Sequence, residues 1–384
     1  MRSRFFSLVF AASIWLSPFA TQAQEVVHTI DRLVAHTSTV PAIAGQPIDL
    51  FVREKIPASI FNAPDGRAPQ GKVVLFVHGG YSPSTLAFDL AYRDYSWMDY
   101  LARAGYDTFA MDMTGYGRSG HPMMDDPCNL IASQRSLMTK KQAAACTDTY
   151  PFDLVNSDSE TADIDRVVDF IRKLRGVDKV TLIGWSGGGV RTGTYLARYP
   201  EKVEKYVILA SSNYSRKNPS DKPAVLPKPG APVSMQTRAA GIDQRWLGTS
   251  KCADTIEPGV PEMIWKLNLD NDPVGATWGT GGLRAPTRTY WGWNAAAAAK
   301  IKVPTLIMSG EQDALTNANL ELFDDLGASQ KVFLGIACAT HFVVWEKQAR
   351  VLHKASLEWL QKTSLQGATQ GSFRADEKGV IKPR

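Results

Sequence analysis

The chain has 384 residues, 44% of them hydrophobic and 21% charged, which suits one large core or a domain with an insertion and excludes a fibrous or disordered polymer. Its 43 Lys and Arg against 38 Asp and Glu leave a formal charge of +5, a near-balance that makes no case for a nucleic-acid partner.

The first segment has the organisation of a cleaved secretory signal. Arg2 and Arg4 precede an apolar stretch from Leu8 to Leu16, and Pro18 leads into small residues ending at Thr21, Gln22 and Ala23. Residues 1–23 are therefore expected to be removed, leaving a mature chain of 24–384 that is secreted or periplasmic. Removal takes two arginines and no acid, lowering the formal charge from +5 to +3. No later segment approaches the ~20 consecutive apolar residues of a membrane span, so no integral membrane association is expected after cleavage. In an oxidising compartment Cys128, Cys146, Cys252 and Cys338 are expected to form disulfides, since none shows C-x-x-C spacing. Of the three possible pairings, Cys128 with Cys146 is favoured because both lie in one polar excursion, leaving Cys252 with Cys338.

After a polar start, Val73 to Val77 is an apolar, β-branched run ending at His78, Gly79 and Gly80, the pattern of a strand buried on both faces. A helix ending near Gly105 and a strand from Tyr106 to Met111 follow. Ser157 to Glu160 fits a capping box, opening a helix whose Ile164, Val167, Val168, Ile171 and Leu174 recur at helical spacing up to Gly176. Val180 to Ile183 is the next strand, Gly188 to Tyr199 a helix halted by Pro200, and Val203 to Ala210 another strand. This alternation predicts an α/β fold with a mostly parallel sheet and helices on both faces. It breaks over about 211–300, an irregular stretch rich in Pro, Gly and Trp, which reads as an inserted cap. It resumes with a strand at Val303 to Met308, another at Lys331 to Leu334 and a closing helix over about 343–361. Residues from about 364 to 384 read as a loose tail.

Chemistry concentrates at Gly184-Trp-Ser186-Gly-Gly188, between a buried strand and a helix. A serine on so sharp a turn is held out of the sheet at the positive end of a helix, and the glycines remove side chains that would clash. Its hydroxyl needs a base, and His341 alone among six histidines lies just after the last strand expected in the sheet. That base needs an orienting carboxylate. Asp313, in the turn after the strand ending at Met308, is preferred over Glu311 and Asp324. Oxyanion donors are expected at the N–H groups of Gly187 and of Gly80 or Tyr81. Trp185, Trp278, Trp291 and Trp293 are candidates to line the substrate pocket.

Gly115 to Gly120 matches G-x-G-x-x-G, yet His121 and Pro122 follow in place of a helix and no acid occurs from Asn129 to Thr147. A dinucleotide site is therefore rejected. No cofactor is expected, and no H-E-x-x-H or clustered His/Cys spacing calls for a metal.

Taken in order, His78-Gly79-Gly80, Asp112 to Ser119, the Gly184 to Gly188 turn, Gly310 to Asp313 and Thr340-His341 resemble the landmarks of the α/β-hydrolase superfamily. The resemblance spans roughly Val73 to Gln361. It implies an eight-stranded, mostly parallel sheet with a cap inserted after the strand ending near Ala210. Relatives with haloalkane dehalogenase or epoxide hydrolase activity place an aspartate where Ser186 stands, and proline iminopeptidases a proline where Tyr81 stands. The expectation is a serine hydrolase acting on a small carboxylic ester. An amidase, peptidase or acyltransferase with the same three residues, or a non-catalytic binding protein on this fold, are the alternatives. The sequence leaves the oligomeric state open.

Overall fold

The apolar runs of the sequence lie side by side in one sheet. The computed structural model describes residues 25–144, 146, 150–225 and 231–384, so the expected signal at 1–23 lies outside the described residues. In chain order the strands are β1 (Val27–Thr37), β2 (Pro47–Pro57), β3 (Val73–Val77), β4 (Asp107–Met111), β5 (Val155–Asn156), β6 (Val180–Trp185) and β7 (Val203–Leu209). They continue with β8 (Val233–Gln236), β9 (Leu283–Pro286), β10 (Arg288–Thr289), β11 (Thr305–Gly310), β12 (Lys331–Ile336), β13 (Gln370–Ala375) and β14 (Ile381–Pro383). The main sheet has ten strands in the order β1-β2-β4-β3-β6-β7-β11-β12-β13-β14. Every neighbouring pair from β4 to β13 is parallel, whereas β1, β2 and β14 join antiparallel.

β3 shows why the sheet is covered on both sides. All five of its residues are buried, and alternate side chains point to opposite faces. Val74 and Phe76 enter one core with Trp97, Trp345 and Trp359. Val73, Leu75 and Val77 enter the other with Ile164, Val167 and Leu196. The main helices are α1 (Trp97–Arg103), α2 (Ser157–Arg175), α3 (Gly187–Arg198), α4 (Val260–Asn271), α5 (Thr316–Asp325) and α6 (Ala349–Lys362). Residues of α1 and α6 pack into the first core, and those of α2, α3 and α5 into the second.

Three expectations are corrected. The stretch expected to be a loose tail forms β13 and β14 at the edge of the sheet, which extends the expected mostly parallel sheet to ten strands. Only Phe373 and Ala375 of these two strands are buried, so their apolar signal is faint. The polar start contains β1 and β2, whose mixed burial leaves no apolar run longer than Leu50 to Val52. The capping box sits one residue earlier than read. The Asn156 side chain accepts from the N–H groups of Asp158 and Ser159 at 3.0 and 3.1 Å, and the Ser159 hydroxyl accepts from Asn156 N–H at 3.0 Å. Ser157 is instead engaged with the backbone of Trp291.

Between β7 and β11 the inserted stretch forms the β8–β9 antiparallel pair, α4, and β10, which pairs in parallel with β5. The disulfides are Cys128–Cys146 and Cys252–Cys338, closing segments of 18 and 86 residues. Loop-closure entropy gives them about 3 and about 4–5 kcal/mol respectively.

One buried acid makes stability depend on pH. Asp163 on α2 is sealed beneath β1, its Oδ2 accepting from Thr114 N–H at 3.1 Å and its Oδ1 lying 3.4 Å from His36 Nε2. Burial pushes this carboxyl up to about 7, and burial together with Arg166 pushes His36 down. A carboxyl that holds its proton in the fold but loses it near 3.8 when unfolded stabilises fully below that lower value, and the contribution is lost as pH rises to about 7. Asp163→Asn keeps the acceptor for Thr114 and supplies a permanent donor to His36. It should raise the melting temperature at pH 8 by roughly 2–5 °C and flatten its decline between pH 4 and 7, measured by scanning calorimetry.

Candidate active site

Ser186 follows β6 directly and precedes the first residue of α3, with φ 56° and ψ −119°. A non-glycine residue at such angles is strained and persists only when its surroundings fix it. Here Ser186 N–H donates to Leu209 at 2.9 Å, and its carbonyl accepts from Gly189 and Ser212 at 2.9 and 3.0 Å. Gly188 permits the arrangement, because a side chain there would collide with the Val77 carbonyl oxygen. The start of α3 thus lies against the end of β3.

His341 Nε2 lies 2.9 Å from Ser186 Oγ, and Nδ1 lies 2.8 Å from Asp313 Oδ2. A carboxylate only accepts, so Nδ1 carries the proton and donates it to Asp313, leaving Nε2 to accept from the serine hydroxyl. Asp313 Oδ1 accepts from Leu315 N–H at 3.0 Å, which fixes the carboxylate. The turn after β11 is tied to the His341 loop where Gln312 N–H donates to Ala339 at 3.0 Å. Glu311 points elsewhere and pairs with Arg374 of β13 at 2.9 and 3.0 Å. Asp324 lies on α5, away from the site.

The histidine loop has further supports that the sequence did not announce. Trp185 Nε1 donates to the His341 carbonyl at 3.0 Å. Glu346, fully buried, accepts from Thr340 N–H and hydroxyl at 3.0 and 2.5 Å and from Trp246 Nε1 at 2.9 Å. It therefore joins the inserted stretch to the residue before His341. Its only sequence trace is a single acid closing the apolar triplet Val343 to Trp345.

The turn after β3 brings Gly80 and Tyr81 beside Ser186 and Gly187 around one cavity. Tyr81 adopts φ 65°, and among the described residues no acceptor takes the N–H of Gly80, Tyr81 or Gly187. This turn is held from below. His78 Nδ1–H donates to Gly79 at 2.7 Å, its Nε2 accepts from Met113 N–H at 3.1 Å, and Arg191 donates to the carbonyls of His78 and Gly79. Burial and the nearby Arg191 hold the His78 ring far below the usual histidine range, hence neutral.

Gly115 to Gly120 serves structure. The turn closes with Gly115 N–H donating to Gly120 at 2.8 Å, and it wraps buried Asp112, which accepts from Ser84 and from Arg118 N–H. A side chain at Gly117 would collide with that carboxylate. Among the described residues, no group of three or more His, Cys, Asp or Glu could hold a metal ion.

The alpha/beta hydrolase fold family profile matches residues 72–348. The chain belongs to this family. Among solved structures, serine hydrolase CCSP0084 from Cycloclasticus zankles is similar with TM-score 0.50 and 14% identity, covering 86% of this chain and 98% of that one. A thermophilic esterase from Thermogutta terrifontis is similar with TM-score 0.50 and 15% identity, covering 86% and 98%. At such identities the likeness speaks for the fold. Poly(3-hydroxyalkanoate) polymerase subunit PhaC of Allochromatium vinosum is 44% identical over 48 residues, 12% of this chain and 14% of the polymerase. This hydrolase-fold chain thus spans a small part of that relative.

In this α/β-hydrolase-fold chain the cavity over Ser186 measures about 170 Å³. Trp185 lines it, and Trp265, Phe342 and Trp345 do so as well. Trp278, Trp291 and Trp293 do not. Trp278 fills a small core with Leu130 and Val233, Trp291 is buried, and Trp293 packs against Gly193 and Tyr214. Large rings in the inserted stretch bury themselves under it, an outcome composition does not separate from pocket lining.

Cys338 lies three residues before His341. Its partner Cys252 sits in the inserted stretch, where Gln312 Nε2 donates to Cys252 Sγ at 3.0 Å and Gln312 Oε1 accepts from Lys251 N–H at 2.8 Å. The disulfide therefore fastens the insertion to the loop carrying His341, and the Gln312 hydrogen bonds tie it to the turn carrying Asp313. Replacing Cys252 and Cys338 together by serine should lower kcat roughly ten- to a hundredfold, since small displacements at a reacting centre are costly. The Cys128 and Cys146 double replacement should mainly lower the melting temperature. Steady-state kinetics beside thermal melts on the two double variants separate these effects.

Proposed function

We propose that this chain is an exported serine hydrolase that cleaves carboxylic esters through an acyl-enzyme on Ser186. The observation that carries the reading is the continuous chain from Ser186 Oγ through His341 to Asp313, at 2.9 and 2.8 Å. Ser186 Oγ attacks the acyl carbon while its proton passes to His341 Nε2. The charge on the former carbonyl oxygen meets the N–H groups of Gly187 and of Gly80 or Tyr81. Asp313 holds the ring and stabilises the imidazolium, which hands its proton to the departing alcohol oxygen as the ester C–O bond breaks. Water repeats the sequence on the acyl-enzyme, releasing the acid and restoring the serine.

Export is supported by the composition of residues 1–23 and by the two disulfides. Among the described residues, no helix is long and apolar enough to cross a membrane. Purified protein should release nitrophenol from short-chain nitrophenyl esters, with the acid as the product. If added alcohols captured the acyl group ahead of water, the reading would shift to acyl transfer. Absence of any ester cleavage would remove it.

A further inference from the structure

Arg288, on β10, lies against the two glycines placed at the oxyanion position. A Cβ added to Gly187 would lie 3.1 Å from Arg288 Nη1, and one added to Gly80 would lie 3.3 Å from Nη2. The guanidinium therefore borders the place where an acyl carbonyl would sit. Nη1 is sealed from solvent and has no hydrogen-bond partner. Among the described residues, no carboxylate, carbonyl or hydroxyl accepts from this guanidinium. The Tyr290 ring lies 5.6 Å away, and its own buried hydroxyl is also unpartnered.

Arg288 as a whole is only partly buried, and the buried arginines of the protein are treated differently. Arg175 pairs with Glu54 and Asp107, Arg191 with Glu160, and Arg284 with Asp272 and Asp125. The Ser186 cavity carries Arg288 and Arg245 and no Asp or Glu in its lining. A neighbouring cavity that Arg288 also borders includes Asp153, but that carboxylate accepts from the Thr289 hydroxyl at 2.8 Å. β10 is pinned to β5 by backbone pairing of Arg288 with Val155, so the side chain projects from a fixed strand.

A guanidinium with a sealed, unpartnered Nη1 is costly, and its planar fork of donors matches a carboxylate. A neutral ester would leave that cost standing, whereas an anionic one supplies the missing partner. We propose that Arg288 binds a carboxylate on the acyl part of the substrate, making short half-esters of dicarboxylic acids the preferred class. This rests on the serine-hydrolase reading of the same cavity and adds the charge of the substrate to it.

The test compares monomethyl succinate with methyl butyrate by pH-stat titration of the acid released. The wild type should favour the succinate ester by at least about tenfold in kcat/KM. Arg288→Gln should erase that preference mainly through KM, and Arg288→Lys should keep part of it. Free succinate should compete with methyl butyrate in the wild type and lose that ability in Arg288→Gln. A wild-type ratio near one, or an equal loss on both esters in Arg288→Gln, would overturn the proposal, the latter by making the guanidinium an oxyanion donor or a structural group. If Arg288→Gln fails to fold, the wild-type ratio and succinate competition decide. If the wild type cleaves neither ester and a fluorophosphonate leaves Ser186 unlabelled, the serine-hydrolase reading falls. Calorimetric titration of succinate into Ser186→Ala then still decides whether Arg288 holds a carboxylate, with no detectable binding overturning it.

Discussion

Ser186→Ala should lower kcat on a short nitrophenyl ester by at least about ten-thousandfold while leaving the melting temperature near that of the wild type. The size follows from what the hydroxyl does. Without Oγ no acyl-enzyme forms, and the remaining N–H donors can only assist slow attack by water. The fold should tolerate the change because the Ser186 backbone is held by Leu209, Gly189 and Ser212 through main-chain bonds that alanine keeps. Relief of strain at φ 56° is not available to alanine, so little change in stability is expected from the backbone. Parallel kinetics and thermal melts check both halves.

The second large effect belongs to Asp313. Asp313→Asn should lower kcat by about ten-thousandfold with KM little changed. An amide can offer its N–H₂ to His341 Nδ1 and so favour the tautomer with the proton on Nε2, which cannot then accept from Ser186. An amide also lacks the charge that stabilises the imidazolium. Glu311→Gln should have no comparable effect, because its carboxylate is committed to Arg374 on the far side of the turn. Single-turnover kinetics on the two variants distinguish the roles of these residues two positions apart. A loss with Glu311→Gln equal to that with Asp313→Asn would point to a general disturbance of the turn.

Much of the sheet was legible because its central strands are buried on both faces. The runs at Val73, Val180 and Thr305 are buried at every position and mostly apolar, and each ends in the Gly-containing turn that carries a site residue. Ser186, Asp313 and His341 all follow carboxyl ends of parallel strands, and chain order alone arranged them. The edges were not legible. β1 has one buried position, Val34, and β13 keeps two, so neither produces the pattern that marks a strand. The capping box was displaced because Ser157 and Asn156 are equally good cap residues, and contact with Trp291 settled which one served.

Within the site, residues set by local turn geometry could be read, and residues delivered by the insertion could not. Arg288 arrives beside Gly80 and Gly187 only because β10 returns from the insertion to pair with β5. Trp265 and Arg245 reach the same cavity through α4 and the loop before it. Nothing in their sequence neighbourhood distinguishes them from Trp278 or Trp293, which turn into cores. Glu346 likewise gains its meaning from three donors distant in kind, two on Thr340 and one on Trp246.

The most direct measurement is reaction of the purified protein with a fluorophosphonate, followed by peptide mapping of the adduct. One adduct is expected, on Ser186, with ester cleavage lost in proportion to labelling. Ser186→Ala should not be labelled, and His341→Ala should be labelled far more slowly. An active enzyme that remains unlabelled, or an adduct on another residue that abolishes activity, would remove Ser186 as the nucleophile.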